Sequence, residues 1–262
     1  MTLQVLISTY GLDGLARTAT MRLPALDGIS YLVSLQLPQD TVFDIPESLR
    51  RPDISILPHS DAGLSRNRNY ALDHASADVV LIADDDLNYT PGGLQTVLST
   101  FAENPGLAFA TFRHTGGDNK QFPETGFSFN EGITPGYYLT SFELALRPSL
   151  LPSDIRFAEN VGVGTPYFGS GEENLFLLRL LHSGMRGRYF PLTIVEHPGT
   201  TTGVRRATPA ALHGQGAWFR IRYGAVEGLL RLLRDVHRRN AAPLTALRHM
   251  LAGYLHSPRI KF

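Results

Sequence analysis

Short apolar runs alternate with stretches of helical spacing along the first part of the chain. The runs Leu3–Ile7, Tyr31–Gln36, Asp53–Leu57 and Asp78–Ala83 contain β-branched residues and are bounded by turn residues. Such runs are typical of strands that are buried on both faces of a parallel sheet. The pattern therefore predicts four strands of one sheet, with a loop over Ser8–Gly11 after the first.

Helices are predicted between these strands. A helix over Gly63–Leu72 follows the capping residues Ser60 and Asp61, and Thr90 followed by a proline opens a helix that continues through Phe101. Strands that alternate with helices predict an α/β fold with a mostly parallel, Rossmann-like central sheet flanked by helices.

The sequence pattern of the second half of the chain predicts further strands, followed mainly by helices. The strands are Leu107–Phe112, Tyr137–Leu146 and Tyr189–Val195, and the helices are Glu172–His182, Pro209–Arg239 and Pro243–Leu255. The glycine- and proline-rich stretch 114–135 predicts a long loop or a small hairpin region, and loops of this length are commonly functional. We expect one domain over 1–203 and a helical C-terminal extension over 204–262.

The charge distribution separates the extension from the rest. The chain has 24 Lys+Arg and 24 Asp+Glu, but residues 204–262 hold 11 of the former and 2 of the latter. Such an extension can bind an anionic lipid surface or pack on the acidic body. The balanced total indicates a protein that is neither disordered nor built for nucleic acid.

The composition limits the cellular compartments and the kinds of metal site that are possible for this chain. There is no cysteine, which excludes disulfides and thiolate metal sites and allows a reducing compartment. No signal-peptide pattern or transmembrane-length apolar run is present. We expect a cytoplasmic protein, with any membrane contact peripheral on the inner face.

The acidic cluster Asp84–Asp86 is the strongest chemical signal. It lies where the fourth predicted strand ends, the edge at which open α/β sheets bind ligands. Three adjacent carboxylates repel one another, and a hard cation such as Mg²⁺ or Mn²⁺ would offset this and bind a diphosphate. The alternative is a solvated turn that caps the next helix.

Three weaker signals accompany this cluster. Arg66 and Arg68 lie near a helix start, where they suit phosphate binding or are ordinary surface arginines. Glu172 and Glu173 follow two glycines at another helix start, where they serve as a general base or as capping acids. His197 lies just after a predicted strand and is either a metal ligand or a structural histidine.

The order of these features resembles glycosyltransferase family 2, the inverting enzymes of GT-A fold, over Leu3–Gly203. The resemblance is carried by the loop Ser8–Gly11, the pair Arg68 and Asn69, the acidic cluster and the pair Glu172 and Glu173. Bacterial enzymes of capsule and O-antigen synthesis are the most similar subgroup, through Ser141–Glu143, Gly171–Asn174 and Glu196–Pro198.

The resemblance implies the roles of the site residues. Donor contacts are expected from Ser8, Thr9, Tyr10, Gln36, Arg66, Arg68, Asp84 and Asp85. The Mn²⁺ or Mg²⁺ ligands are expected to be Asp86, Asp84 and His197. Glu173 is the expected base, with Glu172 as the alternative. Residues 1–112 would bind the nucleotide sugar, and 113–203 the acceptor.

The resemblance implies an inverting transfer of a sugar from a nucleoside diphosphate donor to a saccharide or lipid-linked acceptor in surface polysaccharide synthesis. Uridine is the first expectation for the nucleoside. Gln36 stands where the family often has an acid that reads uracil, so thymidine and guanosine donors remain open. Two other hypotheses remain: a non-catalytic sugar-nucleotide-binding subunit, and a sugar nucleotidyltransferase.

Overall fold

The four predicted strands of the first half form one parallel block. The computed structural model describes residues 1–117, 120–134, 136–199, 208–239 and 242–260. The block consists of β1 (Leu3–Tyr10), β2 (Ile29–Gln36), β3 (Ile54–His59) and β4 (Val79–Asp84), in the spatial order β3-β2-β1-β4. Most side chains of β1, β2 and β4 are buried, as expected for a sheet covered on both faces.

The remaining strands extend this block into a mixed sheet. They are β5 (Asn88–Tyr89), β6 (Phe109–Thr115), β7 (Phe127–Ser128), β8 (Leu144–Leu146) and β9 (Gly187–Glu196). Over the described residues the order is β3-β2-β1-β4-β8-β6-β9-β5, and β7 pairs with β9. Because β8 is antiparallel to both of its neighbours, the sheet is mixed beyond β4.

Helices follow most of these strands. They are α1 (Gly11–Thr20), α2 (Leu64–Asp73), α3 (Pro91–Glu103), α4 (Glu172–His182), α5 (Pro209–Tyr223), α6 (Ala225–His237) and α7 (Pro243–His256). The predicted start of α3 is confirmed, because the Thr90 side chain accepts a hydrogen bond from the Gly93 amide at 3.1 Å. The α/β prediction with C-terminal helices is confirmed.

Three local predictions were wrong. The strand β1 continues through Tyr10 and α1 begins at once, so Ser8–Gly11 is not a loop. Of the predicted strand Tyr137–Leu146, only β8 is a strand. It is preceded by a short turn over Ser141–Glu143, which the capping box of Thr140 and Glu143 stabilises. Gly224, at φ 76°, divides the predicted helix Pro209–Arg239 into α5 and α6.

The residues cluster into two compact units. The first comprises Met1–Ala62, Asn67–Ile155 and Leu180–Thr200, and the second comprises Gly63–Arg66, Arg156–Arg179 and Thr201–Phe262. The expected boundary after Gly203 lies outside the described residues and stays a prediction. The first unit has its core on the sheet, where Tyr31, Phe101 and Phe142 are buried.

The helices of the second unit pack closely through glycines. A Cβ atom on Gly216 would lie 1.9 Å from the Met250 carbonyl oxygen, and one on Gly253 would lie 1.9 Å from that of His213. The backbones of α5 and α7 therefore approach each other directly. Leu232 and Val236 of α6 are buried in the same cluster.

The surface of α6 has a second apolar face. Val226 is 75% exposed and Leu230 is 63% exposed, with Leu229 and Leu233 exposed beside them. The apolar residues of α6 therefore form a buried stripe and an exposed one. Within the described ranges, no helix combines the length and the apolar character that crossing a bilayer requires.

Candidate active site

The carboxyl ends of three adjacent strands bring most of the predicted donor residues together. Ser8 on β1 pairs in register with Asp84 on β4, and Tyr10 pairs with Gln36 on β2. Because parallel strands end at the same edge of a sheet, these side chains share one edge with the acidic cluster. Ser8 and Gln36 are buried, whereas Tyr10 is 64% exposed.

Asp84 is held by an arginine from α2. The Arg68 guanidinium donates from Nη2 to Asp84 Oδ1 at 2.9 Å and to Ser141 Oγ at 2.8 Å. The Arg68 side chain is only 2% exposed. A buried cation is stable only beside a compensating anion. Arg68 therefore neutralises Asp84 within the protein, rather than lying on the surface.

Asp85 is held by a second arginine that the sequence reasoning missed. Arg17 on α1 donates from Nε and Nη2 to the two Asp85 oxygens at 3.1 and 2.9 Å, and Thr9 Oγ1 donates to Asp85 Oδ2 at 2.5 Å. The hydrogen bond with Asp85 raises the pKa of Arg17 above its ordinary value. The signal was hidden because Arg17 belongs to the helix that was not predicted.

These two arginines reduce the charge repulsion that was the reason to expect a metal ion at the acidic cluster. Repulsion among Asp84, Asp85 and Asp86 was the reason to expect a cation, and Arg68 and Arg17 supply positive charge to the first two. Among the described residues, no group of three or more His, Cys, Asp and Glu side chains is placed to hold a metal ion. Asp86 is the carboxylate of the cluster that makes no direct ion pair with an arginine among the described residues.

Asp86 lies beside His197, and their expected role as metal ligands stays a prediction. His197 Nε2 is 3.4 Å from Asp86 Oδ2. The imidazole lowers the pKa of Asp86, and the carboxylate in turn raises the pKa of His197. Asp86 Oδ1 is buried and has no hydrogen-bond partner among the described residues. A carboxylate and an imidazole with one unsatisfied oxygen fit a divalent cation.

The predicted bases belong to the second unit. Glu172 is 5% exposed and lies against Gly162, where a Cβ atom would be 3.0 Å from the Glu172 carboxyl carbon. Glu173 is half-buried, and its Oε1 accepts a hydrogen bond from Asn174 at 3.0 Å. The greater exposure of Glu173 favours it over Glu172 as a group that reaches a substrate.

Arg66 also belongs to the second unit. Its Nε lies 3.3 Å from Glu159 Oε2, and both side chains are about half exposed. An exposed ion pair of this kind contributes little to stability. Of the two predicted phosphate contacts, Arg68 is therefore committed to Asp84, whereas Arg66 is accessible.

A buried charged cluster was also missed by the sequence reasoning. Glu143 accepts hydrogen bonds from Lys120 Nζ at 2.7 and 2.6 Å, and from His114 Nδ1 at 2.8 Å, where the hydrogen is taken to be on the imidazole. All three side chains are at most 2% exposed. The available signal was an acid placed inside an otherwise apolar segment, directly after Ser141 and Phe142.

Comparison with known proteins bears on the fold and on the family. Residues 40–153 match the family model described as glycosyl transferase family 2. Staphylococcus aureus TarS 1–349 in complex with UDP-GlcNAc has a TM-score of 0.58 and 15% identity, covering 98% of this chain and 72% of that chain. The mannosyltransferase PcManGT from Pyrobaculum calidifontis, in complex with GDP-Man and Mn²⁺, has a TM-score of 0.50 and 15% identity, covering 98% and 73%. No curated protein sequence matches.

The fold and the edge site define an α/β protein of the GT-A class. The match of residues 40–153 to the glycosyltransferase family 2 model, together with this fold, supports the resemblance that the motifs indicated.

Proposed function

We propose that this chain is a metal-dependent, inverting glycosyltransferase that uses a nucleoside diphosphate sugar, with uridine as the first expected nucleoside. The observation that carries the proposal is the pair formed by Asp86, after the carboxyl end of β4, and His197, after β9. One carboxylate oxygen of Asp86 is unsatisfied among the described residues. The family match over residues 40–153 supports the reaction class.

The protein groups would divide the work of one displacement. Asp86 and His197 would hold the Mn²⁺ or Mg²⁺ ion, with Asp84 directed to the ribose or the donor sugar. When bound, the cation would offset the negative charge that develops on the leaving diphosphate. Arg66 is the accessible guanidinium for that charge.

Glu173 would act as the general base. It would take the proton of an acceptor hydroxyl while that oxygen forms a bond to the anomeric carbon. The bond from this carbon to the diphosphate oxygen breaks on the opposite face, so the configuration inverts. The proton ends on Glu173, and the electron pair ends on the diphosphate.

Recognition of the nucleobase would involve Tyr10 and Gln36. The exposed Tyr10 ring offers a stacking surface, and Gln36 is its register partner on β2. A glutamine amide both donates and accepts hydrogen bonds, so it suits uracil, thymine or guanine. The similar structures are complexes with UDP-GlcNAc and with GDP-Man, which supports testing both nucleosides.

The acceptor and the cellular setting form a second part of the proposal. We propose a saccharide or lipid-linked acceptor of bacterial surface polysaccharide, and a cytoplasmic enzyme that contacts the inner leaflet. The exposed apolar face of α6, with Val226, Leu230 and Leu233 beside Arg231 and Arg234, supports this contact. Flotation with anionic liposomes should recover the chain, and Leu230→Glu should reduce recovery; equal recovery would contradict the membrane contact.

The activity is tested by product analysis. Incubation with UDP- and GDP-sugars and Mn²⁺ should release nucleoside diphosphate, detected by mass spectrometry. Formation of nucleotide sugar from a sugar phosphate and a nucleoside triphosphate would instead indicate a nucleotidyltransferase. Binding of the donor without release, across a range of acceptors, would indicate a non-catalytic subunit.

Substitution of Asp86 tests the metal assignment. Asp86→Asn should abolish turnover and the Mn²⁺-dependent part of nucleotide binding, because the amide cannot replace a charged oxygen ligand. Asp27→Asn is the matched control, since Asp27 is exposed and precedes β2 at the opposite edge of the sheet. Full activity of Asp86→Asn with Mn²⁺ would contradict the assignment.

A further inference from the structure

The turn Ser141–Glu143 contacts three parts of the first unit through three consecutive side chains. Ser141 Oγ accepts the hydrogen bond from Arg68, which also binds Asp84. The Phe142 ring stacks on His197 with centroids 5.4 Å apart and an interplanar angle of 8°. Glu143 binds the buried Lys120. One turn thus links the acidic cluster to a buried ion pair.

The buried ion pair holds the turn in one position. Glu143 is fully buried, and its carboxylate receives hydrogen bonds from Lys120, from His114 and from the Thr140 amide. Removal of one member would leave an unpaired charge in the interior, at a large free-energy cost. Few alternative positions of the turn satisfy all of these groups at once.

Phe142 connects the anchored turn to His197 through ring contacts. Its ring also makes an edge contact with His114, at a centroid distance of 5.0 Å. His197 is 3% exposed, and a Cβ atom on Gly117 would lie 2.4 Å from its Nδ1. The imidazole is therefore confined between the Phe142 ring and a backbone turn, with Nε2 directed at Asp86.

We propose that the Ser141–Glu143 turn is a positioning element for the metal-binding pair, in which Phe142 orients His197 and the Glu143 and Lys120 pair anchors the turn. This inference rests on the proposed role of Asp86 and His197. A ligand that is already oriented loses less rotamer freedom when it binds a cation, and groups that orient ligands raise metal affinity. Neither Phe142 nor Glu143 needs to touch the substrate.

The test compares two substitutions that each remove one buried phenylalanine ring. Phe142→Leu removes the ring that stacks on His197, whereas Phe101→Leu removes a fully buried ring of α3 from the same apolar core. Mn²⁺ affinity in the presence of UDP is measured by calorimetry, and stability by thermal unfolding. Phe142→Leu should weaken Mn²⁺ binding about fivefold, the size expected from one stacked aromatic contact. Phe101→Leu should destabilise the protein similarly and leave the affinity unchanged.

The anchor is tested by a double variant. Glu143→Gln with Lys120→Met removes both charges together, so that no unpaired charge remains buried. This variant should fold and should weaken Mn²⁺ binding in the same direction as Phe142→Leu. Wild-type Mn²⁺ affinity in both Phe142→Leu and the double variant would overturn the positioning role.

A metal-free measurement separates this inference from the proposed function. The His197 ring signals in nuclear magnetic resonance spectra should broaden or split in Phe142→Leu, because the imidazole then exchanges between rotamers. Sharp and unshifted signals would overturn the positioning role. Absence of Mn²⁺ binding by the wild type would contradict the proposed function, and the His197 signals would then decide the positioning role alone.

Discussion

Gly14 on α1 is a position where one added methyl group should disrupt the sheet edge at which β1, β2 and β4 end. A Cβ atom there would lie 2.2 Å from Thr9 Oγ1 and 2.9 Å from Asp85 Oδ2, the two atoms of one hydrogen bond. The threonine oxygen is attached to a β-branched carbon with few rotamers, so it has little freedom to move away. Gly14→Ala should therefore break the contact between Thr9 and Asp85.

The expected free energy follows from two opposing effects. Alanine is more favourable than glycine inside a helix by about 0.5–1 kcal/mol. A hydrogen bond to a charged group contributes about 1.5–3 kcal/mol, so Gly14→Ala should lose about 0.5–2.5 kcal/mol overall. Gly92→Ala on α3 is the matched control, because a Cβ atom there meets nothing within 4 Å. Both variants gain the helix propensity of alanine. Their free energies of unfolding should therefore differ by about 1.5–3 kcal/mol, the contribution of the hydrogen bond that only Gly14→Ala loses.

Thermal unfolding measures this difference. At about 2–4 °C per kcal/mol for a chain of this size, Gly14→Ala should melt about 3–12 °C below Gly92→Ala. Gly14→Ala should also weaken nucleotide binding, measured by calorimetry, because Thr9 and Asp85 lie at the sheet edge where we propose that the nucleotide binds. Equal melting temperatures for the two variants would refute the reasoning from the Cβ distances.

Three further outcomes are expected. Gly187→Ala would place a Cβ atom 1.9 Å from the Phe109 ring, and overpacking of this kind should cost about 1–3 kcal/mol in urea unfolding; unchanged stability would contradict the packing. Thr90→Ala removes the cap on the Gly93 amide and should cost about 1 kcal/mol in the same assay, whereas no loss would exclude the cap. Burial lowers the pKa of His213, so the unfolded chain binds more protons and stability should fall as pH falls below about 6.5. His213→Asn should flatten that dependence, and an unchanged slope would contradict it.

The local sequence pattern was sufficient to predict the strands β1, β2 and β4 and the edge at which they end. The apolar runs of β1, β2 and β4 read as buried parallel strands, and parallel strands end at one edge. This pattern alone places Ser8, Gln36 and Asp84 at one edge of the sheet, and their expected role as donor contacts stays a prediction. The bounds of α4 and the cap of α3 were also predictable, because glycine, proline and capping residues act within one helical turn.

The partners of the charged groups were decided only by the tertiary structure. Asp85 meets Thr9 across 76 residues of sequence and Arg17 across 68, and Glu143 meets Lys120 across 23. Sequence periodicity shows which face of an element is apolar, but it does not show which distant side chain lies opposite a given carboxylate.

The acidic cluster illustrates this division. By itself the sequence determined that three carboxylates follow a buried strand at the ligand-binding edge of an α/β sheet. Only the tertiary structure decided that Arg68 and Arg17 neutralise Asp84 and Asp85, and that Asp86 lies beside His197. The physical reason is that the energy of a charge depends on its distance to other charges and on its burial, and chain folding sets both.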